Sequence, residues 1–315
     1  MTTKLTEMLG IKYPIIMAPM FLVSNTKMIV AALESGITAA FPALNYRTDA
    51  EFRAAIDEIR TKTDKPFGIN LIVNKSNIKY KEQLATCVEK KVDYVITSLG
   101  SPEETIAQCK PAGIKVFCDV VDLKYAQKVE QLGADAIIAV NKEAGGHAGH
   151  TSYQNLIPKL VGNCNIPIIS AGGVANGNQL KAMLDLGAEG VSMGTVFIAT
   201  EESDVGDDYK NALIEYGAKD IVRTSNLSGT PLTVINTPYL QEIGTEASWL
   251  QKKLMKNKKL KKYVKMFIVM KGMKKIKKSA FGASYKTVFV AGPSIEEVHE
   301  VRTVKAIIED LVKDF

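Results

Sequence analysis

The chain has little from which to build a membrane span, a disulfide framework or a metal cage. No run approaches the ~18 consecutive apolar residues of a transmembrane helix, and the longest apolar stretch near the C-terminus, between Met266 and Met270, is bracketed by lysines. The N-terminal MTTKLTEMLGIKYP has no apolar core leading to a small-residue cleavage site, so no secretory signal is expected. Only four cysteines occur, Cys87, Cys109, Cys118 and Cys164, at no C-x-x-C spacing. Free thiols in a reducing cytoplasm are the expectation. There are three histidines, no H-E-x-x-H and no carboxylate–histidine cluster, so no metal site is expected. The absence of G-x-x-x-x-G-K-[ST], and of G-x-G-x-x-G after a first strand, argues against P-loop kinases and Rossmann dehydrogenases.

What is present is a globular composition, 46% hydrophobic and 23% charged over 315 residues, sufficient for a sizeable core. The formal charge of +6 is unevenly spread. Thirteen lysines and no acid lie between Lys252 and Lys278, so the excess of positive charge belongs to one segment and the rest of the chain is net acidic.

From residue 10 to about 200, short β-branched runs alternate with stretches of helical period, the pattern of a parallel sheet with crossover helices. Eight strands are predicted: 14–20 (PIIMAPM), 38–42, 67–73 (FGINLIV), 94–99, 115–120, 136–140, 167–171 and 190–193. Eight strands in one alternating series predict an α/β fold, a closed (β/α)8 TIM barrel. Phrases such as LESG, EQLGAD and LDLGAE place a glycine just past a helix end. After residue 204 the alternation breaks. The expected organisation is a barrel over 1–204, an inserted helical or irregular lid over 205–284, and a returning segment and helix over 285–315. That helix would use Val298, Val301, Val304, Ile307, Ile308 and Leu311.

Active sites of parallel barrels lie at the carboxyl ends of the strands. Here those ends are rich in glycine: EAGGHAGH after the sixth strand, AGGVANG after the seventh and MGT after the eighth. Consecutive glycines let backbone N–H groups approach an anion, and phosphate binding by the last strands of a barrel recurs, so a phosphorylated cofactor is expected there. The same glycines also serve tight turns. His147, set between glycine-rich turns, can transfer protons or bind an anion near neutral pH. His150 and His299 are expected at the surface. Asn70 is a polar residue inside an apolar strand and must find a partner if it points inward. Ser98 and Asp119 hold comparable end-of-strand positions.

In order and spacing, KYPIIMAPM, FGINLIV, LGADAIIAV, EAGGHAG, PIISAGGVANG and GAEGVSMGTVFIATEES resemble the FMN-dependent nitronate monooxygenases, formerly 2-nitropropane dioxygenases. The flavin-type enoyl-acyl-carrier-protein reductases are close relatives, and the resemblance spans residues 5–203. It implies FMN as cofactor, with Ala18, Pro19 and Met20 beside the isoalloxazine and Asn70 bonded to its polar edge. Gly145, Gly146, Gly172 and Gly173 would line the ribityl and phosphate path, and Ser192, Met193, Gly194 and Thr195 would close on the phosphate. His147 would be the catalytic residue, acting on an alkyl nitronate with O2 as oxidant. Under the reductase alternative, NAD(P)H would be the reductant and the lysine-rich segment would steer an acidic acyl carrier protein. A weaker alternative is a binding protein acting through those lysines; their lack of arginine argues against nucleic acid. The sequence departs from the family pattern at FPALNYR after the second strand, at Val196 where arginine is common, and at Val140 where glutamine is usual.

Overall fold

The computed structural model describes residues 2–74, 77–225, 231–246 and 288–315. Eight parallel strands close into a barrel: β1 Ile15–Met17, β2 Thr38–Pro42, β3 Gly68–Ile72, β4 Tyr94–Ser98, β5 Lys115–Val120, β6 Ala136–Val140, β7 Ile168–Ala171 and β8 Gly190–Met193. Each strand pairs with its sequence neighbour and β1 pairs with β8, Ile16 lying opposite Ser192. The (β/α)8 barrel is therefore present, with every strand at its expected place. The first strand is shorter than expected because the chain leaves the sheet after Met17, and Pro19 has no N–H with which to extend the ladder.

The strands are buried on both faces, which is why they read as continuous apolar runs. Outside, they meet the helices in one large core that includes Phe41, Phe67 and Phe197. Inside, Ile16, Tyr94, Ile96, Phe117, Ile138 and Ile169 fill the barrel, joined by Leu5 and Leu9 of the N-terminal helix Lys4–Leu9. Tyr94 stacks on Phe117 at 4.9 Å and its hydroxyl meets Thr38 Oγ1 at 3.0 Å. A Cβ on Gly190, the first residue of β8, would sit 2.5 Å from Leu5, which places that helix as a plug under the amino ends of the strands. Burying each leucine contributes about 2 kcal/mol, and the carboxyl ends, opposite this plug, are where the active-site loops of a parallel barrel lie. The expected helix-ending glycines Gly36, Gly133 and Gly187 have φ of 87°, 94° and 92°.

Beyond β8 the described chain differs from a purely helical or irregular insertion. After the helix Asp207–Glu215 comes β9, Ile221–Thr224, paired antiparallel with β10, Leu232–Ile235. Four-residue strands are too short to show a period of two, so they escaped notice in the sequence. The returning segment runs past Val290, which bridges Val234, and reaches the final helix Val304–Val312. That helix is capped by Thr303 and begins later than its apolar period suggested. Val298 precedes it and Val301 is exposed. The lysine-rich stretch lies outside the described residues.

Candidate active site

The loops at the carboxyl ends of β1, β6, β7 and β8 are tied together by backbone. Ala18 N donates to Met193 O at 2.8 Å, and a Cβ on Gly194 would lie only 3.5 Å from Met20 Sδ and 3.7 Å from Ala18 Cβ. Ala18, Pro19 and Met20 thus flank the end of β8, where Ser192 and Met193 are buried strand residues. The loop is held from β2 by a residue the sequence did not single out. Asn45 accepts from Leu22 N at 2.8 Å and donates to Ser24 O at 2.9 Å, fixing Leu22 at φ 60°. A side-chain clamp in FPALNYR stands where glycines would otherwise make the turn.

The four glycines expected along a cofactor path have different duties. Gly172, at φ 107°, has no room for a side chain: its Cβ would fall 2.4 Å from Ala144 N and 2.5 Å from Asn141 Oδ1. Asn141 donates to Gly172 O at 3.0 Å, so the β6 and β7 loops interlock. Gly145 is needed for close approach of the returning segment, since a Cβ there would meet Gly292 N at 2.9 Å. Gly292 N in turn donates to Thr195 Oγ1 at 3.0 Å, so the Thr195 hydroxyl is already engaged. Gly146 pairs with Thr233 of β10, accepting from its N–H at 2.8 Å. Gly173, at φ 79°, is the glycine whose conformation has no such backbone contact behind it. Among the described residues the N–H groups of Gly173 and Gly194 have no hydrogen-bond partner. These groups suit an anionic ligand, and the residues present fit a flavin phosphate.

On the opposite side of the mouth, Asn70, Ser98 and Asp119 come together from the ends of β3, β4 and β5. Asn70 is buried and donates through Nδ2 to Ser98 Oγ at 2.7 Å and to Ile96 O at 3.2 Å. Ser98 donates to Asp119 Oδ2 at 2.5 Å. Desolvation pushes the Asp119 carboxyl up to about 6, against the lowering effect of the Ser98 hydroxyl.

His147 is exposed on the β6 loop, and the inserted hairpin holds that loop. Besides the Gly146–Thr233 pairing, Arg223 of β9 donates to Gly149 O and, at 3.3 Å, to Lys142 O; its guanidinium lies 3.1 Å from His150 Nδ1. His150 and His299 are exposed, as expected. Nothing local in the sequence marks Arg223, Thr233 or Gly292, because each acts on a partner far away along the chain. Among the described residues no group of three His, Cys, Asp or Glu could hold a metal, and no helix is long and apolar enough to cross a membrane.

A closed parallel barrel with glycine-lined loops and a histidine among the carboxyl-end loops of its strands defines the class of (β/α)8 enzymes. The nitronate monooxygenase family model matches residues 2–314, and the chain belongs to that family. It is 32% identical over 241 residues, 76% of this chain and 67% of the relative, to a (3aS,4S,5R,7aS)-5-hydroxy-7a-methyl-1-oxo-octahydro-1H-indene-4-carboxyl-CoA dehydrogenase of Rhodococcus jostii. It is 28% identical over 288 residues, 77% of this chain and 81% of the relative, to a "Probable nitronate monooxygenase" of Staphylococcus saprophyticus. Among solved structures, FabK from Thermotoga maritima superposes with a TM-score of 0.87 at 32% identity, covering 100% of this chain and 96% of that one. The chain is accordingly an enzyme, a flavin-dependent oxidoreductase of the nitronate monooxygenase type.

Proposed function

We propose that the enzyme binds FMN across the ends of β1, β3, β6, β7 and β8 and oxidises alkyl nitronates with O2. The observation that carries this reading is the loop of His147, pinned by the β9–β10 hairpin beside the open N–H groups of Gly173 and Gly194. The flavin would supply the electron acceptance that no side chain here can provide. The chain's own groups would do the rest. Ala18, Pro19 and Met20 offer an apolar wall, Asn70 a polar contact, and the β7 and β8 loops a phosphate cradle. His147 orients the anionic nitronate, or removes the α-proton of a neutral nitroalkane.

A second reading, reduction of an enoyl thioester by NAD(P)H, is favoured by the end-to-end likeness to the Thermotoga FabK structure. One anaerobic experiment separates the two. The purified yellow protein should be bleached by an alkyl nitronate; bleaching by NADH or NADPH alone would replace the nitronate reading with the reductase one.

A further inference from the structure

The side chains of Asn70, Ser98 and Asp119 form a hydrogen-bond chain with a single direction. Both amide protons of Asn70 are spent, one on Ile96 O and one on Ser98 Oγ. The Ser98 proton is spent on Asp119 Oδ2. This assigns the flip of the amide: Oδ1, with no proton, is the end that remains for a ligand. An amide that donates through its N–H groups is a better acceptor at its oxygen, and an anion at the far end of the chain strengthens the effect.

We infer that Asp119, acting through Ser98, is a positioning residue that holds Asn70 Oδ1 as a hydrogen-bond acceptor for an N–H on the edge of the bound flavin ring. The inference rests on the FMN reading above. The groups facing the Asp119 carboxyl are few. Ser98 is on β4, and the register partner on β6 is the apolar Ile138. Its strand neighbour Cys118 is engaged with Thr97 Oγ1 at 3.3 Å. The other ionisable residues that follow β5 and β6 are occupied: Asp122 caps its helix by accepting from Tyr125 N, and Lys142 lies 3.7 Å from Glu143. His147 and His150 are the further titratable groups of the β6 loop, beyond Glu143, and His150 Nδ1 lies 3.1 Å from the Arg223 guanidinium.

The test measures FMN affinity of the apoprotein, by quenching of flavin fluorescence, for wild type, Ser98→Ala, Asp119→Asn and the double variant at pH 7.5 and pH 5. At pH 7.5 each single variant should bind FMN about tenfold more weakly, the size of one net hydrogen bond to an ionised group. The double variant should lose no more than either single, since all three break one chain. At pH 5 the wild-type carboxyl is protonated and the variant-to-wild-type ratio should fall towards one. Taking ratios cancels the titration of the FMN phosphate, which wild type and variants share. Multiplying losses in the double variant, or ratios equal at both pH values, would overturn the inference and leave these residues as packing. If Asp119→Asn fails to fold, the pH dependence of the Ser98→Ala ratio carries the same test. Wild type binding FMN with unchanged variants defeats this inference alone; wild type binding no FMN defeats the cofactor reading with it.

Discussion

His147 and Gly172 show how differently two residues of one glycine-rich mouth are constrained. Gly172 is fixed by space: Ala144 N would stand 2.4 Å from any Cβ, so its identity answers to packing before any ligand. His147 is exposed on a loop whose shape is set by its neighbours, Gly146 bridging Thr233 and Gly149 accepting from Arg223. His147→Ala should retain flavin and fold unchanged while losing turnover. The loss should be larger with a neutral nitroalkane than with the preformed nitronate, because only the former needs a proton removed, a contribution of about 10²–10⁴-fold. Steady-state rates with both forms of one substrate check this. Equal rates for variant and wild type with both would return His147 to loop structure.

At the scale of elements, the β9–β10 hairpin is the part that holds the β6 loop from outside the barrel. Its grip rests on Arg223, whose planar fork donates from Nη2 to the carbonyls of Lys142 and Gly149 while Nη1 lies against His150 Nδ1. Arg223→Ala should leave the barrel intact and lower kcat/KM by about 3- to 30-fold, the scale of lost hydrogen bonds to a charged group partly exposed to water. Amide exchange at residues 142–150 should quicken, and Arg223→Lys should restore little, since an ammonium cannot reproduce the fork. Unchanged exchange and turnover would show that the hairpin only borders the loop. The sequence revealed the barrel strands because burial on both faces makes each an apolar run, and it marked the glycine-rich loops because glycine pairs are local. It did not reveal the hairpin, whose half-buried β9 (IVRT) has neither a continuous apolar run nor enough residues for a period of two. Nor did it reveal Asn45, Arg223 or Gly292, whose partners are brought to them only by the closed fold. At Gly145 and Thr195 the sequence did not show the packing that the fold adds: the first admits Gly292, and the hydroxyl of the second accepts its N–H.

For the whole molecule, the barrel divides labour between its two ends. The lower end is closed by Leu5 and Leu9 and filled by stacked Tyr94 and Phe117. Every residue assigned to ligand or substrate lies at the upper end, on segments drawn from β1, β3, β6, β7 and β8. A ligand spanning these segments adds to the ties that the loops already make with one another, so its binding should register as global stability. The cradle at Gly173 and Gly194 offers N–H groups for one terminal phosphate, and no dinucleotide fingerprint follows the first strand. FMN should therefore raise the thermal midpoint of the apoprotein and FAD should not. At a free concentration of 100 times Kd, linkage gives about 2.7 kcal/mol, a shift of several degrees for a chain of this size. A thermal melt of apoprotein with riboflavin, FMN or FAD resolves the contributions. Riboflavin should give a smaller shift than FMN, the difference reporting the phosphate cradle. Equal shifts with riboflavin and FMN would remove the phosphate from Gly173 and Gly194, and a larger shift with FAD would mean that the upper end accommodates an adenosine half.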